Sequence, residues 1–225
     1  MNSYRKNAIA AGSLFIIAII ASLLGGGLIE SILAAPDYLA SLTANTSTLI
    51  IGIFLEFINA FAVIGIAITL FPTLRKHNES IANGYISFRI IESIFCIVSA
   101  LIPLTLISLS HAYLKESALD ISNFQALGAL LISIRASLAE IVIPISFGLG
   151  ALLFYHMLFY SKLIPRFISV WGLLGVILVL TLVFIKINTI INLTLVLPII
   201  LNEIFLGIWL IIKGFNPFVG NGWSA

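Results

Sequence analysis

Six long apolar stretches, separated by short polar turns, run along this chain. They lie at residues 8–29, 47–71, 81–109, 124–157, 166–186 and 190–213. A helix needs about 20 apolar residues to cross a hydrocarbon core about 30 Å thick, and each stretch meets that length. The pattern predicts an all-α, polytopic transmembrane bundle of six helices, forming a single transmembrane domain over residues 1–225.

Two places in this pattern are less regular than the rest. The fourth stretch is longer than a span requires, so we expect it to tilt, to bend near Pro144, or to project from the bilayer at its His156 end. The boundary between the fifth and sixth helices requires Lys186, Asn188 and Asn192 to form a tight turn. If they do not, the chain has five spans and its C-terminus moves to the other side.

The composition explains why a bilayer must surround these helices. Hydrophobic residues make up 61% of the chain and charged residues 9%, against about 25% charged in an ordinary soluble domain. A soluble fold of this size cannot bury so much apolar surface. The net charge of +2 gives no reason to expect a nucleic-acid partner; the expected surroundings are lipid.

The basic residues outside the spans predict the orientation of the chain. Cytoplasmic loops carry an excess of Lys and Arg, and both termini are predicted to be cytoplasmic because the predicted turns divide these residues unevenly. Seven fall on one side and two, Lys115 and Lys186, on the other; the seven are Arg5, Lys6, Arg75, Lys76, Lys162, Arg166 and Lys213.

Charged residues inside the apolar stretches are the candidates for function, because intramembrane charge is costly. Converting sequence position to depth at about 1.5 Å per residue puts the four glutamates near the bilayer midplane. Arg89 falls one turn toward the cytoplasm and Arg135 somewhat toward the outside, so we expect all six charges in a single layer near that depth. The candidates for binding or ion pairing are Glu56, Asn59, Arg89, Glu92, Arg135, Glu140 and Glu203. Glu30 is set aside as an external helix-end residue.

The third stretch has the clearest polar face. At about 100° per residue, its small and polar side chains fall within a sector of roughly 120° that we expect to face the bundle interior. They are Arg89, Glu92, Ser93, Cys96, Ser99, Ala100 and Pro103. In the fourth stretch, Arg135 and Glu140 point about 140° apart, so we expect them to serve different neighbours.

The intramembrane acids outnumber the bases. Four glutamates face two arginines, which are effectively always protonated. The two extra carboxylates predict protonated glutamates, a cation site or a hydrated cavity. The alternative is that these residues form buried ion pairs that only fix helix packing.

Small residues at four-residue spacing mark a predicted close helix contact. Ala18, Ser22 and Gly26 follow this spacing in the first stretch, and Gly172 with Gly175 is a looser version. Such spacing lets helix backbones approach closely, and packing within one bundle is favoured over a dimer interface.

Residues typical of catalysis or metal binding are scattered. His77, His111 and His156 fall at separate places in the predicted topology, so the three cannot converge on one metal, and Cys96 is the only cysteine. No nucleotide-binding or nucleophile motif is present. We predict no cofactor and no metal, and a lipid-modifying enzyme using a glutamate base ranks below the other functions.

Short motifs along most of the chain carry a family resemblance. They are Tyr4-Arg5 with Gly12, Arg89-x-x-Glu92, Lys162-x-x-Pro165-Arg166 leading to Gly172 and Gly175, and Glu203 followed by Trp209-Leu210. The chain resembles a bacterial family catalogued as domain of unknown function 4386. It departs from the family's usual glycine after the Pro-Arg pair, where Phe167-Ile168-Ser169 stand. The resemblance implies a helical bundle in a bacterial cytoplasmic membrane, without an established activity.

Together these features favour a multi-pass membrane protein that binds or translocates a small solute or proton through a polar site at mid-membrane. The alternative is a non-transporting membrane subunit or sensor whose buried ion pairs are structural. The sequence does not indicate which solute is bound, or the oligomeric state.

Overall fold

The computed structural model describes residues 3–114, 121–185 and 189–216, and the elements in these ranges are helical. Six helical segments in them are long and apolar enough to cross a membrane, which confirms the predicted all-α bundle of six spans. The elements are α1 (Ser3–Leu33), α2 (Tyr38–Ala44), α3 (Thr46–Leu74), α4 (Glu79–Tyr113), α5 (Ile121–Ser137), a π-helical turn (Leu138–Val142), α6 (Ile143–Ser161), α7 (Arg166–Phe184) and α8 (Thr189–Ile212).

Helix α2 lies in what the apolar pattern treats as a loop. The Asp37 side chain accepts a hydrogen bond from the backbone N–H of Ala40 at 3.2 Å and so caps its first turn. Leu39 and Leu42 are buried. A helix of seven residues is too short to show the periodicity that reveals a span.

The fourth span is built from α5, the π-helical turn and α6 as one continuous helical segment, Ser122–Ser161. Pro144 lies two residues after the π-helical turn and has no backbone N–H to give to the carbonyl one turn earlier. A π-helical turn shifts the hydrogen-bond register by one residue. The tilt, bend or projection expected of this long stretch stays a prediction.

The boundary between the fifth and sixth spans is described only up to its flanks. Helix α7 ends at Phe184 and α8 begins at Thr189. Residues 186–188, and with them Lys186 and Asn188, lie outside the described residues, as do Lys115 and the side chain of Asn192. The flanking helices each qualify as a span, so the six-span count is kept.

The chain forms two compact units. The first unit contains residues 1–16, 65–88 and 148–225, and the second contains residues 17–64 and 89–147. Within the first, the ring of Phe154 packs against Phe15, Tyr85 and Tyr155, with centroid distances of 5.1 to 6.2 Å. Within the second, an aliphatic cluster includes buried leucines of α2, α3 and α4.

Close helix contacts are made by part of the predicted small-residue set, with Gly25 taking the place of Gly26. Gly25, one residue before the predicted Gly26, lies against the backbone of Gly52, where an added Cβ would come within 2.9 Å of the carbonyl oxygen. Gly26 faces open space, and Ser22 is exposed. Gly172 and Gly175 pack within the first unit, against Tyr155 and Ile199.

Candidate functional site

The polar face of α4 carries the central side chains of the candidate site. All seven residues of the predicted stripe are buried, including Arg89 at 4% exposure and Glu92 at 5%. Burial of polar side chains along one face of a long apolar helix follows from their spacing of three and four residues. The Ser93 hydroxyl donates a hydrogen bond to the Ala60 carbonyl of α3 at 2.8 Å.

Arg89 and Glu92 form an ion pair within α4. Nη1 of Arg89 donates to Oε2 of Glu92 at 2.8 Å, with side-chain exposures of 5% and 7%. The three-residue spacing puts the two side chains on neighbouring positions of the helix surface. The guanidinium also lies over the ring of Phe147, 5.7 Å from its centroid. This pair needs no other helix to bring its members together.

Arg135 is the centre of a second cluster that joins four helices. Its guanidinium donates two hydrogen bonds to the Glu56 carboxylate, at 3.0 and 2.5 Å, in a fork arrangement. Nε donates to Glu30 at 3.1 Å, and Nη1 donates to the backbone carbonyl and the hydroxyl of Ser99 at 3.0 and 3.2 Å. We call Glu30, Glu56, Ser99 and Arg135 the Arg135 cluster.

Glu30 is the member of this cluster that the sequence analysis set aside. It lies near the end of α1, with 62% of its side chain exposed, but the long Arg135 side chain reaches it. The two residues are 105 positions apart, so no sequence spacing relates them. The sequence shows only that Glu30 is an acid near the end of an apolar stretch, and this does not identify Arg135 as its partner.

The Arg89–Glu92 pair and the Arg135 cluster lie at two different levels along α4, whereas the sequence predicts a single layer. Ser99 follows Glu92 by seven residues, which is two turns and about 10 Å along α4 on the same face. The thiol-bearing Cys96 lies between them and is buried. The polar face of α4 therefore connects the Arg89–Glu92 pair to the Arg135 cluster.

The other three candidates lie on three different helical elements. Glu140 is in the π-helical turn and its side chain is exposed, so it does not join the interior acids as the sequence analysis expects. Glu203 is half-buried on α8 and belongs to the first unit. Asn59 is half-buried one turn from Glu56.

The chemistry of the Arg135 cluster follows from its charges. Two ionised carboxylates around one guanidinium leave a net charge of −1. Carboxylate oxygens can hold a proton or a hard cation, and here Arg135 occupies the position that such a ligand would take. The described residues contain no group of three or more His, Cys, Asp or Glu side chains arranged to hold a metal ion.

One comparison relates the chain to other proteins. A family model described as domain of unknown function DUF4386 matches residues 10–214. No curated protein and no solved structure matches the chain.

Proposed function

The chain belongs to the DUF4386 family, and we propose that it binds a proton or small cation at the Arg135 cluster and passes it along the polar face of α4. The observation that carries the proposal is the pairing of one buried guanidinium with two carboxylates, one of which is exposed. Arg135, Glu56 and Glu30 are the residues of the site.

The charge of the cluster favours a positively charged ligand. Arg135 has 6% of its side chain exposed and Glu56 has 14%, so solvent screens this pair only weakly. Arg135 neutralises one carboxylate and leaves the second negative charge to attract a proton or cation. A proton on either glutamate would loosen its hold on Arg135 and let the guanidinium move toward the other.

The exposure of the three charged residues gives the site one open side. Glu30 is 62% exposed, whereas Glu56 and Arg135 are largely buried. A ligand arriving from the surface therefore meets Glu30 first and Glu56 only after Arg135 is displaced. An entry path requires such an order, in which an exposed binding group at the surface is followed by a buried one.

Two features beyond the cluster support movement of the ligand. The stripe from Ser99 through Cys96 to Glu92 continues the polar surface by about 10 Å along α4. The π-helical turn begins at Leu138, three residues after Arg135. Such turns are common at functional sites and interrupt the regular hydrogen-bond ladder, which lowers the resistance of the helix to bending.

A flux assay tests the proposal. The purified chain is reconstituted into liposomes containing a pH-sensitive or cation-sensitive dye, and flux is measured after a pH or cation gradient is imposed. We expect Glu56→Gln to reduce flux at least tenfold, because it removes the buried negative charge. Glu140→Gln is the matched control and should retain flux, since Glu140 is exposed outside the cluster.

Correct folding of each variant is checked by size-exclusion chromatography before reconstitution. Absence of flux above that of empty liposomes for the unmodified chain, with every tested cation, would refute transport. Equal flux from Glu56→Gln and the unmodified chain would refute the assigned site.

A second candidate is a membrane subunit or sensor in which these charges are structural. It is favoured by the five hydrogen bonds that Arg135 makes to α1, α3 and α4. A purely structural cluster predicts that Glu56→Gln lowers stability and that an Arg135→Gln, Glu56→Gln double variant, once stabilised by lipid, behaves like the unmodified chain in every functional assay.

We further propose that the membrane is a bacterial cytoplasmic membrane with both termini on its cytoplasmic side. The predicted excess of Lys and Arg on one face supports this orientation. Single cysteines introduced at Lys6 and Lys213 test it in whole cells, because the native Cys96 is buried and should label poorly. Labelling of either site by an impermeant maleimide in intact cells would contradict the proposed topology.

A further inference from the structure

A cavity of about 400 Å³ lies in the first unit, where α3 ends, α4 begins and α6 ends. His77, Asn78 and Ile81 line it from the turn between α3 and α4 and from the start of α4. The last turns of α6 form the opposite wall. Its volume falls within the range of about 300–1,000 Å³ typical of small-molecule sites.

The cavity lies at the ends of spans and not in their middle. Helix α3 ends at Leu74, α4 begins at Glu79 and α6 ends at Ser161. Tyr160, on the cavity wall, is 63% exposed, as expected of an aromatic side chain near a membrane surface. Basic residues adjoin the lining in sequence, since Lys76 precedes His77 and Lys162 follows Ser161.

The polar lining is rich in hydrogen-bond donors. Oδ1 of Asn78 accepts the backbone N–H of Ile81 at 2.9 Å, which leaves the amide Nδ2 group to donate to a ligand. The hydroxyl oxygen of Ser161 is buried and has no hydrogen-bond partner among the described residues. A buried hydroxyl without a partner is costly, and a ligand in the cavity would remove that cost.

The remaining wall is aromatic and apolar. The rings of His156 and Tyr160 are one turn apart on α6, and their centroids are 4.6 Å apart. Ile81 and Met157 add apolar surface. The lining contains imidazole, amide, phenol and hydroxyl groups but no carboxylate.

We propose that this cavity binds a phosphate group, carried by a phospholipid headgroup or as free phosphate. Hydrogen-bond donors without a carboxylate in the lining suit an anion with several acceptor oxygens. The cavity also adjoins the N-terminal end of α4, where the helix dipole is positive. The apolar wall matches the glycerol and upper acyl region of a lipid. This site is independent of the Arg135 cluster.

Binding by the full chain in detergent tests the proposal. Dissociation constants are measured by native mass spectrometry for dioctanoyl phosphatidylglycerol and for dioctanoylglycerol, which has the same acyl chains without the phosphate. Inorganic phosphate is titrated separately by thermal shift. Tight binding of the phospholipid alone indicates a headgroup site, whereas binding of inorganic phosphate indicates a site for the free anion.

A double variant, His156→Ala with Ser161→Ala, locates the site. Ser161 loses no intramolecular hydrogen bond on substitution, and His156 is exposed, so the variant should fold. We expect phosphate or phospholipid binding to weaken at least tenfold, as for the loss of one hydrogen bond to a charged group. His111→Ala, an exposed histidine at the far end of α4, is the matched control and should bind normally.

Three results would overturn the proposal. The first is that neither phosphatidylglycerol nor inorganic phosphate binds. The second is that dioctanoylglycerol binds as tightly as the phospholipid, which would show that the phosphate is not recognised. The third is that the double variant and the His111 control bind equally well.

Discussion

A double-mutant cycle on Arg135 and Glu56 gives the most direct test of the Arg135 cluster. Arg135→Gln removes a guanidinium that donates five hydrogen bonds, and Glu56→Gln removes the carboxylate that accepts two of them. Both side chains are at least 86% buried, since their exposures are 6% and 14%.

The expected magnitudes follow from this burial. Removing one member of a buried ion pair costs about 3–5 kcal/mol, because the other charge is left without compensation. For Glu56→Gln we expect the lower end of that range, because Glu30 still contacts Arg135. This remaining contact offsets only a small part of the loss, because Glu30 is mostly exposed and an exposed pair contributes only about 0–1 kcal/mol.

The double variant should be much less destabilised than the sum of the single variants. Replacing both charges by neutral amides leaves no buried charge, and such replacements are often close to neutral. We therefore expect a coupling free energy of at least about 2 kcal/mol, within the range found for residues in contact.

The free energy of unfolding is measured for all four proteins by denaturant titration in mixed micelles. Glu140→Gln serves as the control and should change it by less than about 0.5 kcal/mol, since Glu140 is exposed. Additive single-variant effects, with a coupling below about 0.5 kcal/mol, would show that Arg135 and Glu56 do not form the described pair.

Other predictions concern packing, hydrogen bonding and pH. Gly12→Ala should destabilise the chain by about 1–3 kcal/mol because its Cβ would lie 2.5 Å from a backbone oxygen of α8, whereas Gly26→Ala meets no neighbour and should be neutral or stabilising in thermal unfolding. Ser93→Ala should cost about 1 kcal/mol by losing its hydrogen bond to α3, while Ser137→Ala, whose hydroxyl bonds only within its own helix, should change the melting temperature little. Burial lowers the pKa of His77 below its ordinary value of 6.5, so the unfolded chain takes up this proton first as the pH falls. Stability should decrease between pH 6.5 and the lowered pKa, and the slope of melting temperature against pH in this window should be smaller in His77→Gln; an unchanged slope would contradict this assignment.

Much of the fold could be predicted from sequence because its determinants are local. The length of each apolar stretch sets the number of spans, and the three- and four-residue spacing of polar groups on α4 sets its buried face. The Arg89–Glu92 pair is equally local, since both members lie on adjacent turns of one helix. Helix α2 was missed because seven residues, about two helical turns, are fewer than the 11 or more over which helical periodicity is recognised.

The candidate site could be predicted only in part because its contacts join distant residues. Sequence identifies Arg135 and Glu56 as buried charges but provides no measure of the rotation of one helix against another. A rotation of about 100°, one residue's step, separates Gly25 from Gly26 and decides which of them packs against α3. Helix rotation also decides the position of Glu140. Its depth in an apolar stretch predicts an interior acid, whereas in the structure it lies on an exposed face.

The sequence alone therefore determined the class of protein, the number of spans and the polar face of α4. These depend on composition and helical periodicity, which act through neighbouring residues. Only the tertiary structure decided that Arg135 bonds to Glu30 and Glu56, that the charges occupy two levels, and that His77 and His156 line one cavity. These contacts depend on how helices are rotated and shifted against one another, which is set by packing across the whole of each unit.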